Sequence, residues 1–202
     1  VAPPDCHGDG LPGTIPPARG GRPGRIAALP ATASLGSFYA AITSPLGFPH
    51  HRHEGKVTGL AAYGDPEVAR ADMERMIDWD PGARRLRTRL GRNQFTAIAR
   101  VADLLSRPYS REEIAAAAQR HLERLVVEML RTWLRETGRR HLLLAGGVFG
   151  NVKLNQRLHE LPEVERRGRA QDRFPVLHEL AHPRAQLERP GRGNETASGP
   201  DQ

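Results

Sequence analysis

Cysteine is nearly missing from this chain. Cys6 is the only one in 202 residues, which excludes an internal disulfide and any multi-cysteine zinc site and favours a reducing compartment. No run approaches the roughly eighteen consecutive apolar residues of a membrane span. The opening Val1-Ala2-Pro3-Pro4-Asp5-Cys6 has neither the charged region nor the apolar core of a secretory signal, so a cytoplasmic protein with no membrane partner is expected. An initiator methionine is also missing, and a chain that begins inside a longer protein is expected. Lysine is scarce too, with Lys56 and Lys153 the only two, and aromatics make up 5%. The net charge of +7 and the pI near 10.6 therefore come almost entirely from arginine. These arginines are spread along the chain and form no single aromatic-interleaved patch, which disfavours nucleic acid as a partner.

What is present reads as one domain with tails. Residues 1–30 are rich in Gly and Pro and read as turns around short strands, with Leu11 to Ile15 and Ile26 to Leu29 as candidates. Within them Asp5-Cys6-His7-Gly8-Asp9 is a polar knot. Five adjacent residues cannot all face one ion, so a solvated turn competes with a metal site there. Ser34 caps a helical period through Thr43, with Leu35, Phe38, Tyr39 and Ile42 on a core face. His50, His51 and His53 cluster in a Pro-containing loop, but their spacing matches no closed zinc pattern. A short helix of small residues follows from Val57 to Gly64, where a backbone or a flat ligand can approach closely. Asp65-Pro66 then opens a helix predicted over Glu67 to Trp79. Arg84 to Arg92, with Leu86 and Leu90, fits a half-exposed strand and hairpin. Asn93 to Ser106 is helical, ending before Pro108.

Ser110 to Glu113 is a capping box that starts the best helix in the sequence. Ile114, Ala117, Ala118, His121, Leu122, Leu125, Met129, Leu130, Trp133 and Leu134 keep the three-four spacing, and Gly138 ends it. His121 on that face is expected to be a satisfied core histidine. The helix delivers the chain to a buried-strand run, His141 to Ala145. A turn, Gly146-Gly147-Val148-Phe149-Gly150-Asn151, and a helical continuation to Leu158 follow. Two glycines at a strand exit let backbone approach a ligand, and free amides at the next helix start favour an anion such as phosphate. A plain packing corner, capped by Asn151, is the competing reading.

Three stretches together resemble one family. They are Ser34 to Tyr39 with Ile42-Thr43, Arg52 to Pro66, and Leu144 to Asn155, and their order and spacing are similar to those of the O-carbamoyltransferases of antibiotic and nodulation-factor biosynthesis. The resemblance covers roughly Asp5 to Glu165. It implies an α/β fold, part of an actin/Hsp70/sugar-kinase-like (ASKHA) core related to the universal tRNA threonylcarbamoyl-transferring proteins. In such enzymes a partner domain makes carbamoyladenylate from carbamoyl phosphate and ATP. The domain represented here binds the adenylate and moves the carbamoyl group onto the hydroxyl of a small molecule. By position the resemblance implies metal ligation by Asp5, although Cys6 stands where glycine is usual. It implies nucleotide contact by Gly146, Gly147, Val148 and Asn151, and a cleft lined by Glu54, Gly55, Lys56 and Gly59. Catalytic roles fall to Glu54 and Lys56, with Lys56 neutralising phosphate charge as the acyl group leaves; a surface lysine in a turn is the plainer alternative.

The chain also departs from the family. The upstream histidine pair of the metal site, iron- or magnesium-like in the parent enzyme, lies outside it. The closing aspartate–glycine motif does not follow Glu165, and the adenylate-forming domain is absent. Residues 1–165 are thus expected to be a partial carbamoyltransferase domain and 166–202 a divergent basic tail without order, as a truncated or frameshifted gene would give. A fragment inactive alone, without its metal, is expected. Two readings compete with it: a threonylcarbamoyl-transferase or sugar-kinase-like nucleotide binder, and a non-catalytic basic module that binds anionic partners.

Overall fold

A computed structural model describes residues 14–15, 24–25, 34–91, 94–144 and 146–169. The fold is mixed α/β and mostly helical, organised around the long helix α5, Arg111–Thr137. Its 27 residues extend about 40 Å at 1.5 Å per residue. Both ends are set by local chemistry. The Ser110 hydroxyl accepts the Glu113 amide while the Glu113 carboxylate accepts the Ser110 amide, and Gly138 closes the helix in the left-handed region at φ 63°. The inward stripe, from Ile114 through Leu134, is buried against every neighbouring layer.

Around this spine α1 (Leu35–Thr43) and α2 (Glu54–Leu60) pack on one part of the helix. Ser34 caps α1 by accepting the Ser37 amide, and Leu35, Phe38, Tyr39 and Ile42 are all buried as the period required. A 3-10 turn, Ala61–Tyr63, continues α2 and lies against the start of α5.

The next segment departs from its predicted form. In place of one helix from Glu67 to Trp79, α3 spans Arg70–Met76, and Ile77–Asp80 is a strand, β3. It pairs antiparallel with β4, Arg85–Thr88, so the hairpin expected from Arg84 begins at Ile77, inside the stretch read as helix. Ile77 and Trp79 alternate inward, with Trp79 edge-on to Trp133 of α5 at 6.4 Å. Alternation of that kind is a strand's signature. Val68, ahead of α3, is exposed. Helix α4, Gln94–Ala102, and a 3-10 turn, Asp103–Ser106, follow as expected.

After α5 come β5 (His141–Leu144), the turn, α6 (Val152–His159) and β6 (Arg166–Arg169). β5 and β6 pair in parallel, His141 opposite Arg166, so the segment is a β–α–β unit. Regular structure therefore runs four residues past Glu165, where the sequence placed the start of a tail without order. The remainder of that tail, and the Asp5 to Asp9 knot, lie outside the described residues. So does most of residues 1–30, apart from the two-residue strands β1 (Thr14–Ile15) and β2 (Gly24–Arg25), which pair antiparallel.

His121 is a core histidine. It is 3% exposed, donates from Nε2 to the Ile77 carbonyl at 2.7 Å, and meets the Phe38 ring edge-on. Burial holds its imidazole below the ordinary value of 6.5. The Ile77 bond and the carboxylates of Asp78 and Glu74 oppose that shift, and the Arg124 cation reinforces it. The unfolded chain takes up a proton near pH 6.5 that the folded chain refuses. Its contribution is therefore complete above that pH and is lost as the pH falls toward the folded value. Urea midpoints measured from pH 7.5 to 5 should decline, and His121→Leu, though less stable throughout, should flatten the slope; equal slopes would refute this.

Candidate functional site

The three stretches singled out in the sequence meet in space through one polar network. Tyr39 comes from α1, Thr58 from α2 and Asn151 from the turn before α6. A fourth residue, Gln119 on α5, joins them. The Tyr39 hydroxyl donates to Gln119 Oε1 at 2.7 Å and lies 3.1 Å from Thr58 Oγ1. Asn151 Nδ2 donates to Thr58 Oγ1 at 3.2 Å and to Gln119 Oε1 at 2.8 Å. Since the tyrosine proton goes to Gln119, Thr58 is the donor in its contact with Tyr39, and its one hydroxyl hydrogen is shared between Tyr39 and the Glu54 carbonyl at 3.4 Å. Gln119 Nε2 then donates to Asn151 Oδ1 at 3.2 Å and to Glu123 Oε1 at 2.8 Å, and Arg157 reaches Glu123 Oε2 at 3.1 Å. Burial pushes the Tyr39 phenol well above its ordinary value, so it stays a neutral donor.

Local geometry fixes the turn. Gly146 has φ 102° and ψ 158°, a conformation that L side chains rarely adopt. Gly147–Gly150 is a 3-10 turn with Val148 and Phe149 buried and Gly147 exposed. Several amides that the sequence reading left free for phosphate are already engaged. The Phe149 amide donates to the Gly146 carbonyl and the Asn151 amide to that of Val148. Asn151 Oδ1 caps α6 by accepting from Leu154. Both side-chain hydrogens of Asn151 are also used, so its first role is to hold the turn against α1, α2 and α5.

The other candidates separate. Lys56 lies two residues before Thr58, on a different side of α2, and its ammonium sits 5.8 Å from the centre of the Phe48 ring, which Arg111 also faces. Among the described residues no hydrogen bond or ion pair joins Lys56 to the turn. The Glu54 carboxylate accepts the His51 amide and closes the start of α2. Gly55 and Gly59 are exposed on α2, and a Cβ built at either meets nothing within 4 Å. Of the histidine cluster, His50 and His51 pack edge-to-face at 5.0 Å. The described His, Asp and Glu residues form no group that could hold a metal ion.

Against this geometry stand the comparisons. The profile of a family described as the carbamoyltransferase N-terminus matches residues 20–165. The chain belongs to that family. Nodulation protein NolNO of Sinorhizobium fredii is 33% identical to this carbamoyltransferase-family chain over 156 residues, 76% of the chain and 23% of that protein. Nodulation protein NolO of Bradyrhizobium diazoefficiens is 33% identical over 160 residues, covering 76% and 28%. An uncharacterized protein of Methanocaldococcus jannaschii is 31% identical over 134 residues, 63% of the chain and 25% of the relative. The chain thus spans about a quarter of the length of the curated relatives it matches. Every residue of the closed ring lies within the carbamoyltransferase match. Thr58, Gln119 and Glu123 were not singled out as site residues in the sequence, and Tyr39 was read as core alone. Gln119 and Glu123 could have been found as polar residues four apart beside the apolar stripe of α5.

Proposed function

We propose that the chain is part of an O-carbamoyltransferase, built on an actin/Hsp70/sugar-kinase-like core, that moves a carbamoyl group from carbamoyladenylate to the hydroxyl of a small molecule. The acceptor oxygen attacks the carbamoyl carbon and the bond from that carbon to the phosphate oxygen breaks. AMP leaves with the electron pair, and the hydroxyl proton passes to a base. The donor would reach the site as carbamoyladenylate, made by a partner domain from carbamoyl phosphate, water and ATP with release of phosphate and pyrophosphate. One observation carries this reading: stretches as far apart as Tyr39 and Asn151 are held together by the Gln119 ring inside the carbamoyltransferase match. The two glycines of α2 add support. Glycine is costly in a helix, and the described packing asks for none at Gly55 or Gly59, so close approach by a ligand or another segment accounts for them.

The exposed Gly147 is the place to test nucleotide binding. Its φ lies outside the left-handed region, so a side chain fits the backbone there. Gly147→Asp places a carboxylate where phosphate is expected. AMP and ATP affinity, measured by titration calorimetry, should fall tenfold or more with an unchanged melting temperature. Unchanged affinity would remove the nucleotide from this turn. Carbamoyl transfer by the chain alone is expected to be undetectable in an assay with carbamoyl phosphate and ATP, because the chain spans about a quarter of the length of its curated relatives.

A further inference from the structure

A cavity of about 420 Å³ opens beside the polar ring, between α2 with its 3-10 extension, α5 and α6. Its walls include Thr58, Ala62, Ala116 and Gln119, and at its edge stand Arg120 and Lys153. That volume lies within the range of small-molecule sites. The arginines of the adjoining groove are neutralised by carboxylates: Arg70 by Glu67 and Glu74, Arg124 by Asp78 and Glu128, Arg131 by Glu163. Arg157, which also lines the cavity, is held by Glu123 and Glu160. Arg120 and Lys153 differ. Neither side chain has a hydrogen-bond or ion-pair partner among the described residues. Lys153 is also one of only two lysines in the chain.

We propose that this cavity binds a phosphate-bearing small molecule, with the phosphate between Arg120 and Lys153 and the rest of the ligand against the Ala62 and Ala116 wall. Two cations from different helices line one concave surface, and no described residue is paired with either of them. Arginine supplies a planar fork of donors and lysine a compact point charge, a pairing suited to phosphate oxygens. The single carboxylate lining the cavity, Glu123, is occupied by Gln119 and Arg157. The adjoining groove along α5, lined by Arg70, Arg124 and Arg131, shares Arg120 but has its other arginines paired. This inference rests on the cavity and its charges and does not depend on carbamoyl transfer.

The full 202-residue chain should be titrated with pyrophosphate, AMP, inorganic phosphate and adenosine at low ionic strength. Pyrophosphate should bind, and Arg120→Gln and Lys153→Gln should each weaken it about tenfold or more. Both residues are exposed, so both variants should melt with the parent. Arg131→Gln, in the adjoining groove, should leave pyrophosphate affinity unchanged, which places the loss at this cavity. AMP tighter than inorganic phosphate would support a nucleoside-linked ligand, and equal affinities a phosphate group alone; either supports the site. Adenosine binding as well as AMP would overturn it, as would pyrophosphate binding that survives the double variant or is absent at millimolar concentration.

Discussion

Gly64→Ala is expected to destabilise the fold by about 3 kcal/mol, read as a fall in the urea midpoint of the purified chain. Conformation is not the reason. Gly64 has φ −110° and ψ 160°, extended backbone open to any residue. The reason is space. A Cβ there would overlap the carbonyl of Glu112 and lie 2.5 Å from the Glu113 nitrogen. Those atoms belong to the first turn of α5, which the Ser110–Glu113 capping box fixes, so the obstacle is backbone and cannot rotate aside. Accommodation would require the turn Ala61–Tyr63 to lift from α5, loosening the connection that seats α2. Gly59→Ala is the control. Nothing lies within 4 Å of its Cβ position, and alanine is the better helix former, so a gain of up to about 1 kcal/mol is expected. If the two variants have the same midpoint, close backbone approach at Gly64 is not what the fold depends on.

The same contrast explains what could be read from the sequence. α1, α5 and the corner before α6 were legible because local signals fix them: Ser34, the Ser110–Glu113 box, Gly138 and Asn151 each act within four residues of their own position. β3 was not. Four residues give only two inward side chains, Ile77 and Trp79, too few to separate a period of two from one of 3.6. What decides the matter is pairing with Arg85–Thr88, a partner the local sequence does not announce. β6 is harder still, since Arg166-Arg167-Gly168-Arg169 carries no apolar pattern, and backbone pairing to the edge of β5 makes it a strand. The site divides in the same way. The stretches carrying Tyr39, Thr58 and Asn151 stood out one at a time, but their meeting through Gln119 is a fact of tertiary structure. Lys56 stands apart from that ring: its side chain faces Phe48, and Thr58 is what α2 presents to the turn.

Gln119→Leu should cost about 3 kcal/mol, more than a comparable change elsewhere in the ring. Leucine preserves much of the volume, so the loss is mainly polar. It strips the Tyr39 hydroxyl of its acceptor and Glu123 Oε1 of a donor, and it frees one hydrogen and the Oδ1 of Asn151 from the same partner. A buried group left unpaired costs about 1–3 kcal/mol, and water entering from the adjoining cavity would offset part of the sum. Tyr39→Phe should cost only about 1 kcal/mol, because Gln119 Oε1 still accepts from Asn151 and Thr58 Oγ1 can turn to the Glu54 carbonyl. The double variant should cost less than the two singles added, since one removed bond is common to both. Additive costs would mean that Tyr39 and Gln119 do not act through their shared bond. A second readout separates a site from a mere core contact. At a temperature where Gln119→Leu remains folded, its AMP affinity should still fall, because Gln119 fixes how the α2 and Gly146–Asn151 segments sit relative to each other. If affinity survives while stability drops, the ring serves the fold alone and the nucleotide contacts lie elsewhere.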